Sequence, residues 1–518
     1  MRRSASTPFH RNVHSSNSVM VEEKQPVTDA AVVSGPEDSD AEQQSTIVAP
    51  WKQSRWRRIV GLFWDSVDGP PRERSYIQKL DTYMFSYMCL AYFIKQLDQT
   101  NISNAFVSGM QEDLRLYGNE RNWLNTSFNI GILLGTIPAQ IIQLEHIRPS
   151  IWIPSCEIFW SILVIGMGLA KNVETLYALR FLVGFAEACV FPGFAAMLGG
   201  WYGPTQLAKR AALFEQSSAI GNMFSGYLQA ALHTGMNGKA GLKGWQWMFV
   251  IDGLIGIPIA VWGLFAVPDL PHTTRAFYMS KEVSIYSEKE TFGANDRTQD
   301  REYGVERIER LGRAAPTKLT VRAVAEVFMN WRLWLFVLPY NMVGQAISGI
   351  KYFNLYLKAE KYSVVQINIL PTAGDALSVV AALGFGILAD ITGCNATIVV
   401  GISLLVILAN AMLAVWSIPK SALLFAFFIS YAGLAAQPIV IAWGNHLAAG
   451  DPVLRQMLVA CGNVASYTFN AWLPLVAFPT YDAPKYDYGY QILVMFGGLA
   501  IIGTIAMHFS RVRFAEKS

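Results

Sequence analysis

Four ionisable residues stand inside apolar stretches of this chain at spacings that put them in pairs. Lys95 and Asp98 lie three apart on one helix face, followed along the same helix by Asn101 and Asn104. Arg180 and Glu187 lie seven apart, two turns along one face. Cations so placed can take an anion, and the carboxyls can take a proton. The same residues also read as a buried ion pair that fixes helix register. Later in the chain Lys351, next to Tyr352, and Asp375, after Gly374, also fall within apolar stretches. An ionised side chain in a hydrocarbon environment costs at least about 2.5 to 3.5 kcal/mol, so each needs a partner, a wet cavity or a function.

The surrounding segments call for such an environment. Of 518 residues, 52% are hydrophobic and 15% charged, and the mean hydropathy is +0.28. A chain of this composition cannot fold as one water-soluble globule. Its 41 Gly and 15 Trp suit closely packed membrane helices with headgroup anchors. Apolar stretches long enough to cross a core of about 30 Å recur twelve times. We place them at 82–108, 121–143, 151–170, 174–200, 210–233 and 245–267, then at 332–357, 366–389, 396–416, 421–443, 456–479 and 489–509. The expected fold is an all-α membrane protein of two six-helix halves, as internal repeats in a secondary transporter would produce. If the first helix runs outward and the fourth inward, Asp98 sits roughly 24 Å above the inner end and Arg180 roughly 9 Å below the outer surface. Their heights nearly coincide, so the two charge pairs are expected to meet inside the first half.

The remaining segments set the topology. Residues 1–80 form an expected cytoplasmic tail, polar and without periodicity to about residue 50, then basic and amphipathic from Trp51 to Val67. That second part reads equally as a membrane-surface helix or as a basic linker that obeys topology. No cleavable signal peptide is expected before the first span. The expected halves are 81–268 and 331–510, joined by a basic cytoplasmic loop at 269–330 and followed by a cytoplasmic tail at 511–518. Both termini then lie in the cytoplasm.

Several function classes are disfavoured. The net charge is +3 with no basic stripe, which argues against nucleic acid. Five cysteines and seven histidines show no metal-ligand or disulfide spacing, so neither metal nor cofactor is expected. No nucleophile–base arrangement suggests an enzyme. Asn341, Gln345, Gln437, Asn463 and Asn470 line one wall of a pathway or join helices by hydrogen bonds.

Longer motifs carry a resemblance. Leu97-Asp98-Gln99-Thr100-Asn101-Ile102-Ser103-Asn104-Ala105, then Val107-Ser108-Gly109-Met110-Gln111-Glu112-Asp113-Leu114, Arg180-Phe181-Leu182-Val183-Gly184-Phe185-Ala186-Glu187, and Ala483-Pro484-Lys485-Tyr486-Asp487-Tyr488-Gly489 resemble the major facilitator superfamily. The likeness is to its anion:cation symporter branch and the fungal allantoate, pantothenate and biotin permeases. It runs from Lys79 to the last helix. Gly386-Ile387-Leu388-Ala389-Asp390-Ile391-Thr392-Gly393 is similar to the superfamily's gating loop, which implies gating roles for Gly386, Asp390 and Gly393. The first-half counterpart has decayed to Glu145-His146-Ile147-Arg148-Pro149-Ser150. Where related proteins commonly carry Arg after the acid, this chain has Gln99; Lys95, one turn earlier, is placed to supply the cation.

The resemblance implies proton-coupled import of a small carboxylate across the plasma membrane, with Asp98 and Glu187 as coupling acids and Arg180 tying them to the substrate. Lys95, Arg180, Gln99, Asn101, Lys351, Tyr352 and Asp375 are the expected substrate contacts. The fifth helix lacks the Gly-Pro doublet of drug exporters, which favours import. Pantothenate leads the candidates, ahead of biotin, nicotinate and allantoate, and a non-transporting nutrient sensor is the rival from another class. A monomer working with protons, the small molecule and the lipid bilayer is expected.

Overall fold

The computed structural model describes residues 71–269, 274, 276–279, 303–304, 306–307, 326–447 and 452–515. The expectations for the tail before residue 71 and for most of the 269–330 loop fall outside these residues. Among the described residues are twelve long helical segments: α1 (71–113), α2 (120–146), α3 (Pro149–Gly168), α4 (Val173–Trp201), α5 (Pro204–Gly235), α6 (Gly244–Ala266), α7 (Trp331–Ala359), α8 (Val364–Thr392), α9 (Asn395–Val415), α10 (420–447), α11 (Pro452–Ala477) and α12 (Gly489–Ala515). Helices satisfy every backbone group internally, which hydrocarbon demands.

The helices outrun the expected spans where polar turns continue them. α1 begins eleven residues early, at Pro71 rather than 82, because Pro71–Leu80 is helical but polar. α5 begins at Pro204, a proline at a first helical position where its missing N–H costs nothing. Hydropathy marks the part of a helix inside the bilayer, not its ends.

Large apolar side chains cover the outside of the bundle: Ile137, Val380, Ile391, Val476 and Phe509 are each more than 60% exposed. Water would not tolerate so many, and lipid requires them. Eight of the twelve segments are apolar enough along a full crossing to span a membrane on composition alone. The four that are not, α1, α2, α5 and α11, carry much of the buried polar chemistry and face other helices. α2 packs on α11 and α5 on α8, joining the halves.

Two close approaches fix the site's frame. A Cβ at Gly131 of α2 would strike the Phe181 carbonyl of α4, and one at Gly184 of α4 would strike the Phe128 carbonyl of α2. Backbone therefore packs on backbone, as small residues allow in membrane bundles. Arg180 and Glu187 flank Gly184 by about one turn on either side. Between the halves, a Cβ at Gly226 of α5 would strike the Asn368 carbonyl of α8.

Hydrogen bonds between the halves cluster at the end that holds the α1–α2 and α7–α8 connections. Pro474 within α11 has no N–H, which leaves the carbonyl of Asn470 without its helical donor. Asn129 Nδ2 of α2 donates to that carbonyl at 3.1 Å, and Thr126 Oγ1 donates to the next one, Ala471, at 2.7 Å. Asn122 Nδ2 reaches the carbonyls of Pro474 and Phe478 at 3.0 and 2.6 Å. Asn354 Nδ2 donates to Asn104 Oδ1 at 2.8 Å, and Asn368 Nδ2 to Ser108 Oγ at 2.9 Å. At the opposite end, within the first half, Arg210 forks onto Asp81 at 2.6 and 2.7 Å while Tyr202 donates to the same carboxylate.

Candidate functional site between the halves

Three residues of α1 point into the protein: Lys95, Asp98 and Asn101 are all at least 96% buried. Their spacing of three keeps them on one side of the helix. They do not act as one group. The Lys95 ammonium lies within hydrogen-bond reach of Tyr467 on α11 and in the field of Glu187 and Glu215, with its Nζ 5.6 Å from the Tyr92 ring centre. Asp98 turns toward α3 and α6, where Asp252 is its nearest carboxyl.

The expected meeting of α1 and α4 occurs, with altered partners. Arg180 NH1 donates to the backbone carbonyl of Asp98 at 3.4 Å, and its guanidinium lies over the Phe128 ring at 4.5 Å. Glu187 Oε2 accepts from Gln99 Nε2 at 3.2 Å. Gln99 thus holds an acid of α4, and Lys95 supplies the cation beside it. The Asp98 carboxyl accepts no well-aligned hydrogen bond, with Trp160 of α3 the donor within its reach. Arg180 thus reaches Asp98 through the main-chain carbonyl while lying in the field of its carboxyl.

From the second half come Lys351, Asp375 and three residues of α11. Lys351 is exposed, with Arg121 of α2 and Asn470 of α11 beside it. Its Nζ donates to Asn470 Oδ1 at 3.2 Å. Arg121 of α2 is beside it, donating to the Lys351 carbonyl at 2.8 Å and to Ser103 Oγ at 3.1 Å. Among the described residues no carboxylate forms an ion pair with either cation. Asp375 of α8 lies within reach of Asn222 on α5, which in turn accepts from Thr100 Oγ1 at 2.6 Å. Tyr340 OH donates to Asn463 Oδ1 at 3.0 Å.

Two expected contacts sit elsewhere. Asn101 is fully buried, donating to Asp252 and accepting from Ser225 Oγ at 2.7 Å. It joins α1 to α5 and α6. Tyr352 is stacked on Phe478 at 4.3 Å between ring centres, next to Tyr486, with Arg121 above it. It belongs to the packed closure at that end. Gly386 and Gly393 lie near the far end of α8, where Gly393 closes the helix in the left-handed region at φ 64°; nothing is described of the Asp390 side chain.

Arg121, Glu157, Glu215, Asp252 and Tyr467 were not singled out as site residues. The first four were findable by the rule that found Asp98, an ionisable group in or at the edge of an apolar helix. Each lacks a charged neighbour one turn away, so no pair drew attention to it. Among the described residues no three His, Cys, Asp or Glu side chains converge as metal ligands.

The arrangement is a polar path through an apolar bundle, with cations and acids contributed from both halves. Comparison with known proteins agrees with that architecture. The family profile described as Major Facilitator Superfamily matches residues 88–452. The chain is 36% identical over 429 residues to the MFS transporter PfmaC of Pestalotiopsis fici, covering 82% of this chain and 77% of that one. It is 32% identical over 446 residues to the pantothenate transporter liz1 of Schizosaccharomyces pombe, covering 85% and 83%. Among solved structures, a bacterial homologue of the lysosomal transporter Spinster, inward-facing and occupied, superposes with a TM-score of 0.55 at 16% identity, covering 83% and 97%. A D-xylose-proton symporter gives the same TM-score at 14% identity, covering 82% and 97%. With family profile, relatives matched over more than three quarters of their length and fold in agreement, this multi-pass membrane protein belongs to the Major Facilitator Superfamily.

Proposed function

We propose that the chain imports a carboxylate vitamin, pantothenate first, together with protons across the plasma membrane, as a monomer with both termini in the cytoplasm. The observation that carries the reading is the Lys351–Arg121 pair, two cations from opposite halves unmatched by a carboxylate among the described residues. A substrate carboxylate on Lys351 supplies that missing charge and bridges the halves. Two relatives from fungi are named pantothenate transporters, at 32% and 30% identity, and a third, at 29%, is named a vitamin H transporter.

On this orientation the joined end is external and the substrate path opens inward. Asp98 and Glu187 carry the coupling role. An anion that enters beside Lys95 competes with Glu187 for the same ammonium, and neutrality in the occupied path then calls for a proton with each anion. Rocking of the halves follows once the buried charges are matched. Gly386, Asp390 and Gly393 act at the inner end of α8 as gating residues.

The test is uptake of labelled pantothenate and biotin by cells lacking their own carriers, at about pH 5 and about pH 7.5, with and without a protonophore. Uptake that rises in acid, collapses with the protonophore and is lost in Asp98→Asn is expected. Absence of uptake of both compounds by surface-exposed protein overturns the vitamin assignment. Specific binding of either without accumulation establishes the sensor instead.

A further inference from the structure

Behind α1, on the side away from α11, three carboxyls from three helices are buried together. Asp98 of α1 is 3% exposed, and Glu157 of α3 and Asp252 of α6 are fully enclosed. Tyr87 OH donates to Glu157 Oε2 at 2.6 Å, and Asn101 Nδ2 donates to Asp252 Oδ2. Four carboxyl oxygens accept no well-aligned hydrogen bond: both of Asp98, Asp252 Oδ1 and Glu157 Oε1. Two donors of α3 lie in the same layer: Trp160 Nε1, which is within reach of Asp98, and Ser161 Oγ, which is buried without a partner.

Buried carboxylates that serve only structure are normally matched by donors. Here the donors do not suffice. The Asp98 and Asp252 carboxyls lie within hydrogen-bond reach of each other, a contact that becomes a hydrogen bond only when one of them holds a proton. Two bare charges at that distance in an apolar surround repel strongly. The groups facing the pair are Glu157 and Trp160 from α3, Arg180 and Glu187 from α4, and Asn101 from α1. Facing Glu157 are Tyr87, Asp98 and the free Cys189 thiol, which donates to the Ala186 carbonyl at 3.3 Å. Lys95 sits with Glu187 and Glu215, and Arg180 faces Glu187 and Asp98, so Asp98 is the one of the three carboxyls with a guanidinium in its field.

We infer that Asp98 and Asp252 hold one proton between them, and that Glu157 sets how tightly they hold it, making Asp252 and Glu157 coupling residues set apart from the substrate path. The inference rests on the proton-coupled reading above and extends it to two residues. Loading forms one O–H bond from a hydronium; release breaks it and returns the proton to water. Arg180 links the pair to the path, since its guanidinium lies in the field of both Asp98 and Glu187. An anion drawing on Arg180 or Lys95 changes the charge balance at the pair without touching it.

The test uses purified full-length protein and infrared difference spectra recorded between alkaline and acid pH. A protonated-carboxyl carbonyl band is expected in the wild type, diminished by one group in Asp252→Asn. In Glu157→Gln the band's midpoint moves to lower pH, because removing a neighbouring negative charge weakens proton binding. An Asp252→Asn spectrum identical to the wild type overturns the inference. If that variant fails to fold, Glu157→Gln decides: an unchanged midpoint overturns the inference, since a structural role for Glu157 alters stability and not titration. Wild-type protein that shows the band, with the Asp252→Asn loss, yet takes up pantothenate independently of pH, refutes proton coupling while leaving the shared proton in place.

Discussion

Lys351 combines features that rarely coincide: it is a cation in the tightened turn Ser348–Tyr352 of a membrane helix, exposed, and held by one neutral acceptor, Asn470. Its neighbour Arg121 is buried and held in place, with one terminal nitrogen donating to a carbonyl and a hydroxyl, its guanidinium against two aromatic rings and its Nε enclosed without an acceptor. Lys351 is therefore the one of the two that is free to turn to a ligand. Charge-assisted hydrogen bonds to a carboxylate are about twice as strong as neutral ones. Lys351→Gln is accordingly expected to raise KM for uptake by about tenfold or more, with a smaller effect on kcat, and Lys351→Arg to recover part of the loss. Equal KM values for Lys351→Gln and the wild type in uptake kinetics would place the carboxylate elsewhere, with Lys95 next in line.

At the scale of elements, the α2–α4 crossing decides whether Arg180 and Glu187 reach α1 at all. Gly184→Leu puts a side chain where the Phe128 carbonyl now lies, so the two helices must separate or the protein must fail to mature. Gly200→Ala, where a Cβ meets nothing within 4 Å, is expected to be neutral or to stabilise by up to about 1 kcal/mol through helix propensity. Melting profiles of the two variants in detergent check the contrast, and similar profiles would mean that the crossing tolerates a gap. The same elements show what sequence could and could not tell. Helices were legible because bilayer thickness imposes their length, and Asp98, Lys95, Arg180 and Glu187 because they repeat along one face. Glu157 and Asp252 stand alone on their helices, and their significance comes only from packing α3 and α6 against α1. The partner of Lys95 across the halves, Tyr467, lies hundreds of positions away, and that of Lys351 within the second half, Asn470, lies 119 positions away. Helical spacing also placed Lys95 and Asp98 together, whereas the structure turns one toward α11 and the other toward α6. A shared face spans enough arc for two environments.

For the whole molecule, the asymmetry between its ends implies an equilibrium that can be moved. The first half donates side-chain hydrogen bonds to carbonyls of α11 around Pro474, including the carbonyl that the proline leaves without a helical donor. When that end opens, water reaches those carbonyls, so removing the donors penalises the closed arrangement and leaves the open one nearly untouched. Each such bond contributes about 1 kcal/mol net. The double variant Asn122→Ala, Asn129→Ala removes three of these bonds and shifts the balance by about 3 kcal/mol, or about 150-fold, toward the form open at this end. Ser103, under Arg121 at the join, is a suitable reporter when changed to Cys. On the proposed orientation a membrane-impermeant maleimide reaches it only from outside, while Cys394, exposed beyond the far end of α8, stays out of reach in intact cells. Faster labelling of Ser103→Cys in the double-variant background is expected. Labelling at the same rate in both backgrounds would mean that the Pro474 carbonyls do not hold the end shut, and that the asparagines Asn354 and Asn368, which tie α7 and α8 to α1, carry the closure.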